Sequence, residues 1–231
     1  TSSSVFEFTF SCLSSGRTVV PARGMGAIPE QLAGKARDLG AEVVTGVVVE
    51  EVTQKGNCIE VKSDVSEGYD AVVVATDPHE AERLTGVETP DGGKGCTTAY
   101  YLLEEERGVG RKLVLNADVR GDEPSHLAPV SNVAPEHSPQ GTPMVSATWL
   151  EPRDDPEGLD EGMRAALARW GFGVGVERVH HDTVEFAQFS QPPAAHASLP
   201  SNKAPAGNVF LAGDCTEDSS INGAMLSGRS A

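Results

Sequence analysis

Asp214 is the residue with the clearest prospect of chemistry. It stands in Gly213-Asp214, directly after the apolar run Val209-Phe210-Leu211-Ala212, where a buried strand would end. A carboxylate delivered there can accept hydrogen bonds from sugar-like hydroxyls. The polar stretch Cys215 to Asp218 follows, and Ser219 or Ser220 is placed to cap a helix. That helix opens with Ile221 and Asn222. Its free backbone N–H groups and partial positive charge suit an anion or an electron-rich carbonyl. Gly223, Ala224, Ser227 and Gly228 are small and recur at three- and four-residue spacing, which predicts a smooth helical face for a flat group. Together these parts fit a cofactor with a polyol chain, a phosphate and an electron-accepting ring.

The elements that must position this corner are legible upstream. Ala41 to Val52 is dense in β-branched residues and predicts a strand. Lys55-Gly56-Asn57 reads as a hairpin turn into a return strand, Cys58 to Ser63. Ala71 to Ala75 is a continuous apolar run of the kind found in a central parallel strand; Thr76-Asp77-Pro78 ends it and a helix runs to Leu84. Pro29 suits a first helical turn, and Glu30 to Leu39 predicts a helix closed near Gly40. Phe6, Phe8 and Phe10 belong to a strand or a helix tail and line a core or a cavity.

Residues 86–95 are glycine-rich but lack the GxxxxGK[ST] pattern, so they read as a linker and an internal boundary. Beyond it, Thr97 to Leu103, Leu113 to Asn116, Met144 to Leu150 and Val184 to Phe189 predict strands, and 126–139 a loop. Leu159 to Trp170 predicts an amphipathic helix. Tyr100, Tyr101, Trp149, Phe186 and Phe189 are candidates for core or cavity. His180-His181 is a poor joint metal site, because adjacent strand residues face opposite ways.

Composition narrows the function classes. The chain has 231 residues, room for one large or two small domains, and a net charge of −16. That charge argues against nucleic acid or an anionic membrane as partner. Cys12, Cys58, Cys96 and Cys215 are widely spaced with no CxxC pair, which leaves zinc and dithiol chemistry unsupported and favours a reducing interior. No run approaches the roughly 18 apolar residues of a membrane span. The expectation is a soluble intracellular protein, a plastid included, that acts on a small molecule.

The pattern GDxxxxxSIxGAxxSGxxA resembles the C-terminal flavin-binding signature of the flavin-containing amine oxidase and phytoene desaturase superfamily. The resemblance implies an α/β fold: an FAD/NAD(P)-binding, Rossmann-like domain, incomplete here, with an α+β substrate domain on a mixed sheet. It implies that Asp214 binds the ribityl–phosphate part of non-covalent FAD, with Gly213, Ser220, Ile221, Asn222, Gly223 and Ala224 around it. Val49, in the strand that meets adenine, and Ala75 and Thr76, where the family places small residues near the cofactor, complete the implied set. The phrase GMGAIPEQLA also resembles the family, although many relatives carry Gly where this chain has Arg23. Residues 1–90 are implied to form part of the FAD-binding domain, with some substrate-domain residues at their start. Residues 91–190 form the substrate domain, and 191–231 return to the first. The GxGxxG unit is missing from the sequence. The chain therefore reads as the C-terminal fragment of an oxidoreductase removing a hydride from an amine or a C–C bond, inactive alone. The alternative is a non-catalytic binder on the same fold, like the guanine-nucleotide dissociation inhibitors.

Overall fold

The computed structural model describes residues 3–17, 19–105, 110–172, 175–204 and 207–231. In chain order its elements are α1 (Ser3–Ser15), α2 (Ala27–Asp38), β1 (Glu51–Lys55), β2 (Cys58–Lys62), β3 (Ser66–Tyr69), β4 (Val72–Val74) and α3 (Pro78–Thr85). There follow β5 (Lys94–Leu103), β6 (Val114–Leu115), β7 (His126–Ala128), α4 (Val130–Val133), β8 (Met144–Trp149) and α5 (Pro156–Arg169). The chain ends with β9 (Val176–Gln188), β10 (Val209–Leu211) and α6 (Ile221–Ser230). They fall into two compact units: residues 1–12, 43–93 and 188–231, and residues 13–42 and 94–187.

The first unit is built from two small sheets. β1 and β2 form an antiparallel hairpin closed by Gly56-Asn57, with Gly56 at φ +61°, a left-handed conformation that glycine adopts without strain. β3 adds to β2. β10 lies parallel to β4, pairing Val209 with Val72 and Leu211 with Val74. Ile59, Val74, Leu84, Val209 and Leu211 bury together between these strands and α3. That helix starts cleanly: the Asp77 side chain accepts from Glu80 N–H at 3.1 Å, Pro78 opens the first turn, and Gly86 closes it at φ +69°.

The strand expected from Ala41 to Val52 is shorter and later than its composition suggests. Only Glu51–Lys55 is a strand, and Val43, Val44, Val47 and Val48 are exposed. β-branched residues favour an extended chain, but a strand also needs a partner for its backbone. The carbonyls of Val49 and Glu50 instead accept from the Arg83 guanidinium, at 3.1 and 2.6 Å.

The second unit carries a five-stranded sheet in the order β6-β7-β8-β5-β9. Its described ladders, β6 with β7, β7 with β8 and β5 with β8, are antiparallel, so they do not show the mixed pairing expected. The stretch expected as a loop from 126 supplies β7 and α4. Alternation sends Ala99, Tyr101 and Leu103 of β5, with Val145, Ala147 and Trp149 of β8, into one core. α5 covers them with Leu159, Met163 and Leu167. It comes close at Gly162, where an added Cβ would stand 1.8 Å from the Asp122 carbonyl oxygen. That same carbonyl accepts from Trp149 Nε1 at 2.6 Å. Nearby, Glu123 is buried against the Arg169 guanidinium, which with Asn116 holds its carboxyl at about 2. Among the described residues no helix is long and apolar enough to cross a membrane, and no three His, Cys, Asp or Glu side chains gather to hold a metal.

Candidate functional site

The site begins where two parallel strands run out. Ala212 N–H donates to the Val74 carbonyl at 2.9 Å, which carries the β4–β10 register one step past the strands. Ala75 and Thr76 therefore lie beside Ala212 and Gly213, and a Cβ on Gly213 would meet the Thr76 carbonyl at 4.0 Å, an ordinary contact. This is the C-terminal edge of the sheet, the edge where open α/β folds hold ligands. Asp214 follows and opens a single 3-10 turn to Thr216.

Asp214 leans toward the mouth of α6. Its Oδ2 accepts from Ser219 Oγ at 3.2 Å, and the side chain is half-buried. Ser220 is the N-cap: its Oγ accepts from Gly223 N–H at 2.9 Å, while its hydroxyl donates to the Asp218 carboxylate. The two amides ahead of the capped one belong to Ile221 and Asn222, both exposed. Ile221, the large side chain at the mouth, is 56% exposed. A cleft of about 540 Å³ opens beside it, lined by Glu217 to Ser220, by Gln191 to Ala194 and by Phe8 of α1.

The smooth face expected on α6 divides in two. Gly223 and Ser227 are buried, whereas Ala224 and Gly228 are exposed. Gly223 is small because the chain itself crowds it: a Cβ there would lie 2.1 Å from the Asp218 carbonyl oxygen. Ser227 is a hub. Its Oγ accepts from Gly213 N–H at 2.9 Å and from Asn202 Nδ2 at 2.9 Å, and it pairs with Thr216 Oγ1 at 2.6 Å. Asn202 also donates to the Leu211 carbonyl at 2.9 Å. This knot ties the end of β10 to α6 and fixes where Asp214 emerges. Sequence reading misses it, because a single Asn in a loop carries no periodic signal; Ser227, four residues after Gly223, was the available hint.

The structure thus gathers Ala75, Thr76, Gly213, Asp214, Ser220, Ile221, Asn222 and Gly223 at one edge. It puts Ala224 on the outer side of α6 and Val49 on the hydrophobic cluster, with its carbonyl held by Arg83. Of the aromatic candidates, Tyr101, Trp149 and Phe189 are core, and Tyr100 lines a pocket of the second unit. Cys215 is buried, and burial together with Asp214 pushes its thiol up, keeping it protonated and a poor nucleophile.

The family described as "flavin containing amine oxidoreductase" matches residues 1–231. The chain belongs to that family. The cofactor of this flavin family is FAD. Among curated proteins no significant match is found. Solved structures share the fold at low identity. A putative protoporphyrinogen oxidase from Exiguobacterium sp. has a TM-score of 0.65 at 12% identity, with 90% of this chain matched to 50% of that one. A putrescine oxidase solved with putrescine gives 0.60 at 14%, covering 89% and 51%. A fatty acid isomerase from P. acnes gives 0.61 at 12%, covering 87% and 49%. The chain therefore spans about half the length of these relatives.

The donor set fits a flavin nucleotide. A half-buried carboxylate at a strand end can take ribityl hydroxyls, and the first amides of α6, those of the exposed residues Ile221 and Asn222, can face a ring carbonyl. The glycine at 223 adds nothing to that fit, because it answers to Asp218.

Proposed function

We propose that this chain is the C-terminal share of an FAD-dependent oxidoreductase that removes a hydride from an amine or from a C–C bond of a hydrophobic substrate. The observation that carries the reading is the convergence of Asp214 and the Ser220-capped mouth of α6 on the open edge of β4 and β10. When bound, the flavin supplies a two-electron acceptor. The chain's own residues bind and orient it. Asp214 accepts hydrogen bonds from the ribityl chain, and Ile221 and Asn222 donate their amides to the ring. Ala75 and Thr76 flank the nucleotide, and Val49, whose carbonyl the Arg83 guanidinium holds, offers adenine its backbone N–H. The cofactor is held without a covalent bond, in keeping with a Cys215 thiol that is buried and protonated.

The test is the visible spectrum of the full-length protein and of its Asp214→Ala variant. Flavin bands are expected in the parent. Loss of a charged hydrogen-bond acceptor should weaken flavin affinity about tenfold or more. A colourless parent protein would sink the reading in favour of a non-catalytic binder on the same fold, and an unchanged affinity in the variant would remove Asp214 from the site.

A further inference from the structure

Between β9 and β10 the chain is fastened at both ends and by little in between. Phe189 is buried, and Asn202 is tied into the Ser227 knot. None of residues 190–200 is buried. Among the described residues, one hydrogen bond joins 190–200 to a distant part of the first unit: His196 Nδ1 stands 3.2 Å from the Glu217 carbonyl. That oxygen only accepts, so Nδ1 carries the proton. The segment also borders open space toward two neighbours. Gln191 to Ala194 and His196 line the cleft of about 540 Å³ beside the mouth of α6. Pro192, Ala195, Ser198 and Leu199 line a second cavity, of about 570 Å³, against residues 88–92.

The bend in this segment is strained. Ala195 N–H donates to the Pro192 carbonyl at 3.0 Å, closing a turn with Pro193 and Ala194 at its centre. Ala194 sits at φ +70° and ψ 8°, the third position of a type II turn, which favours glycine. It is the one described residue other than glycine in the left-handed region, where a Cβ crowds the backbone. Ala197 N–H donates to the Ala194 carbonyl at 3.0 Å, so the 3-10 turn Ala195–Ser198 depends on the strained residue. Relaxation of Ala194 breaks both of these bonds, and the His196 bond opposes it.

We infer that residues 190–200 are a lid on the cleft at the mouth of α6: it hinges at the Pro193-Ala194 turn, latches through His196 on the Glu217 carbonyl, and opens toward the space beside 88–92. As a gate on the flavin it rests on the function proposed above. The movement itself is read without flavin, so either idea can fail alone.

The first measurement is amide hydrogen exchange on the full chain with no flavin added. The Ala195 and Ala197 amides should exchange by local opening, far faster than Leu211, whose amide is bonded to the Asn202 carbonyl, yet slower than in an unstructured peptide. His196→Ala should quicken both about fivefold, one hydrogen bond being lost. Ala194→Gly should slow both about threefold, because glycine accepts the left-handed turn without strain. Neither variant should alter Leu211. Exchange at Ala195 as slow as at Leu211, exchange as fast as in a free peptide, or variants that match the parent would overturn the lid. The second measurement is stopped-flow FAD uptake and release by the full-length protein. A gate speeds entry and exit alike, so His196→Ala should raise both rates by a similar factor and leave the affinity unchanged. A faster release with an unchanged uptake rate would make the segment a fixed wall. A full-length protein that takes up no FAD would sink the proposed function, and the exchange rates would still decide the lid.

Discussion

The two units build their cores from side chains of different size. In the second, the large side chains pack on one another: Trp149, Tyr101, Leu127, Leu159 and Met163 are fully buried between sheet and helix. In the first, the cluster is made mostly of small residues, Val74, Ala81, Ala204 and Val209, around Ile59 and the leucines. Many of its larger apolar side chains stay outside: Phe6 at 70%, Val48 at 77%, and Val73, Met225 and Leu226 about half exposed. Large apolar side chains also stay outside on the second unit, Leu39 at 89% and Leu150 at 72%, so what separates the two is the size of the side chains each core buries. The unit that carries Asp214 is the one with the smaller ones. Its corner is held by hydrogen bonds between polar side chains and backbone more than by interdigitated bulk.

That contrast can be broken at three points. Trp149→Ala should produce the largest effect, a loss of about 3–5 kcal/mol in urea unfolding, because it empties the core under α5 and frees the Asp122 carbonyl. A loss below about 1 kcal/mol would mean that the second unit is not the tightly packed one. Ser227→Ala should cost about 1–3 kcal/mol, since it strands the Gly213 amide and one Asn202 donor in a buried place. It should also weaken flavin binding by the full-length protein, although Ser227 points away from the ligand edge. Unchanged stability would show that the knot is not what fixes the corner. Ser220→Ala should be mildest, about 1 kcal/mol for a lost helix cap, and amide hydrogen exchange should quicken in the first turn of α6 while β5 and β8 stay protected.

Much of this was legible in the residues, and for identifiable reasons. Val209 to Leu211, Val72 to Val74, the Gly56-Asn57 turn and the amphipathic face of α5 announce themselves through local pattern, which a single strand or helix can satisfy alone. The Ser220 cap was legible for the same reason. Ala41 to Glu50 was not, since strand formation there depends on a neighbour that composition does not reveal. The Arg83 clamp on Val49 and Glu50 joins positions more than thirty residues apart, and no short-range spacing encodes it. In the site, the presence of Asp214 could be read from the motif. The hub at Ser227 could not, because a small residue in a helix looks the same whether it faces a ring or a strand end.

Gly223 carries a lesson about signatures of this kind. The Asp218 carbonyl occupies the space a methyl group would need, so any larger residue there would push the turn outward and pull Ser220 off its cap. Ser227 is retained by an equally internal demand. A descendant of this protein that had shed its nucleotide would still need both to fold its last helix. Half of the familiar string therefore records architecture. Under the function proposed above, Asp214 and the two leading amides of α6 are the letters that speak of a ligand.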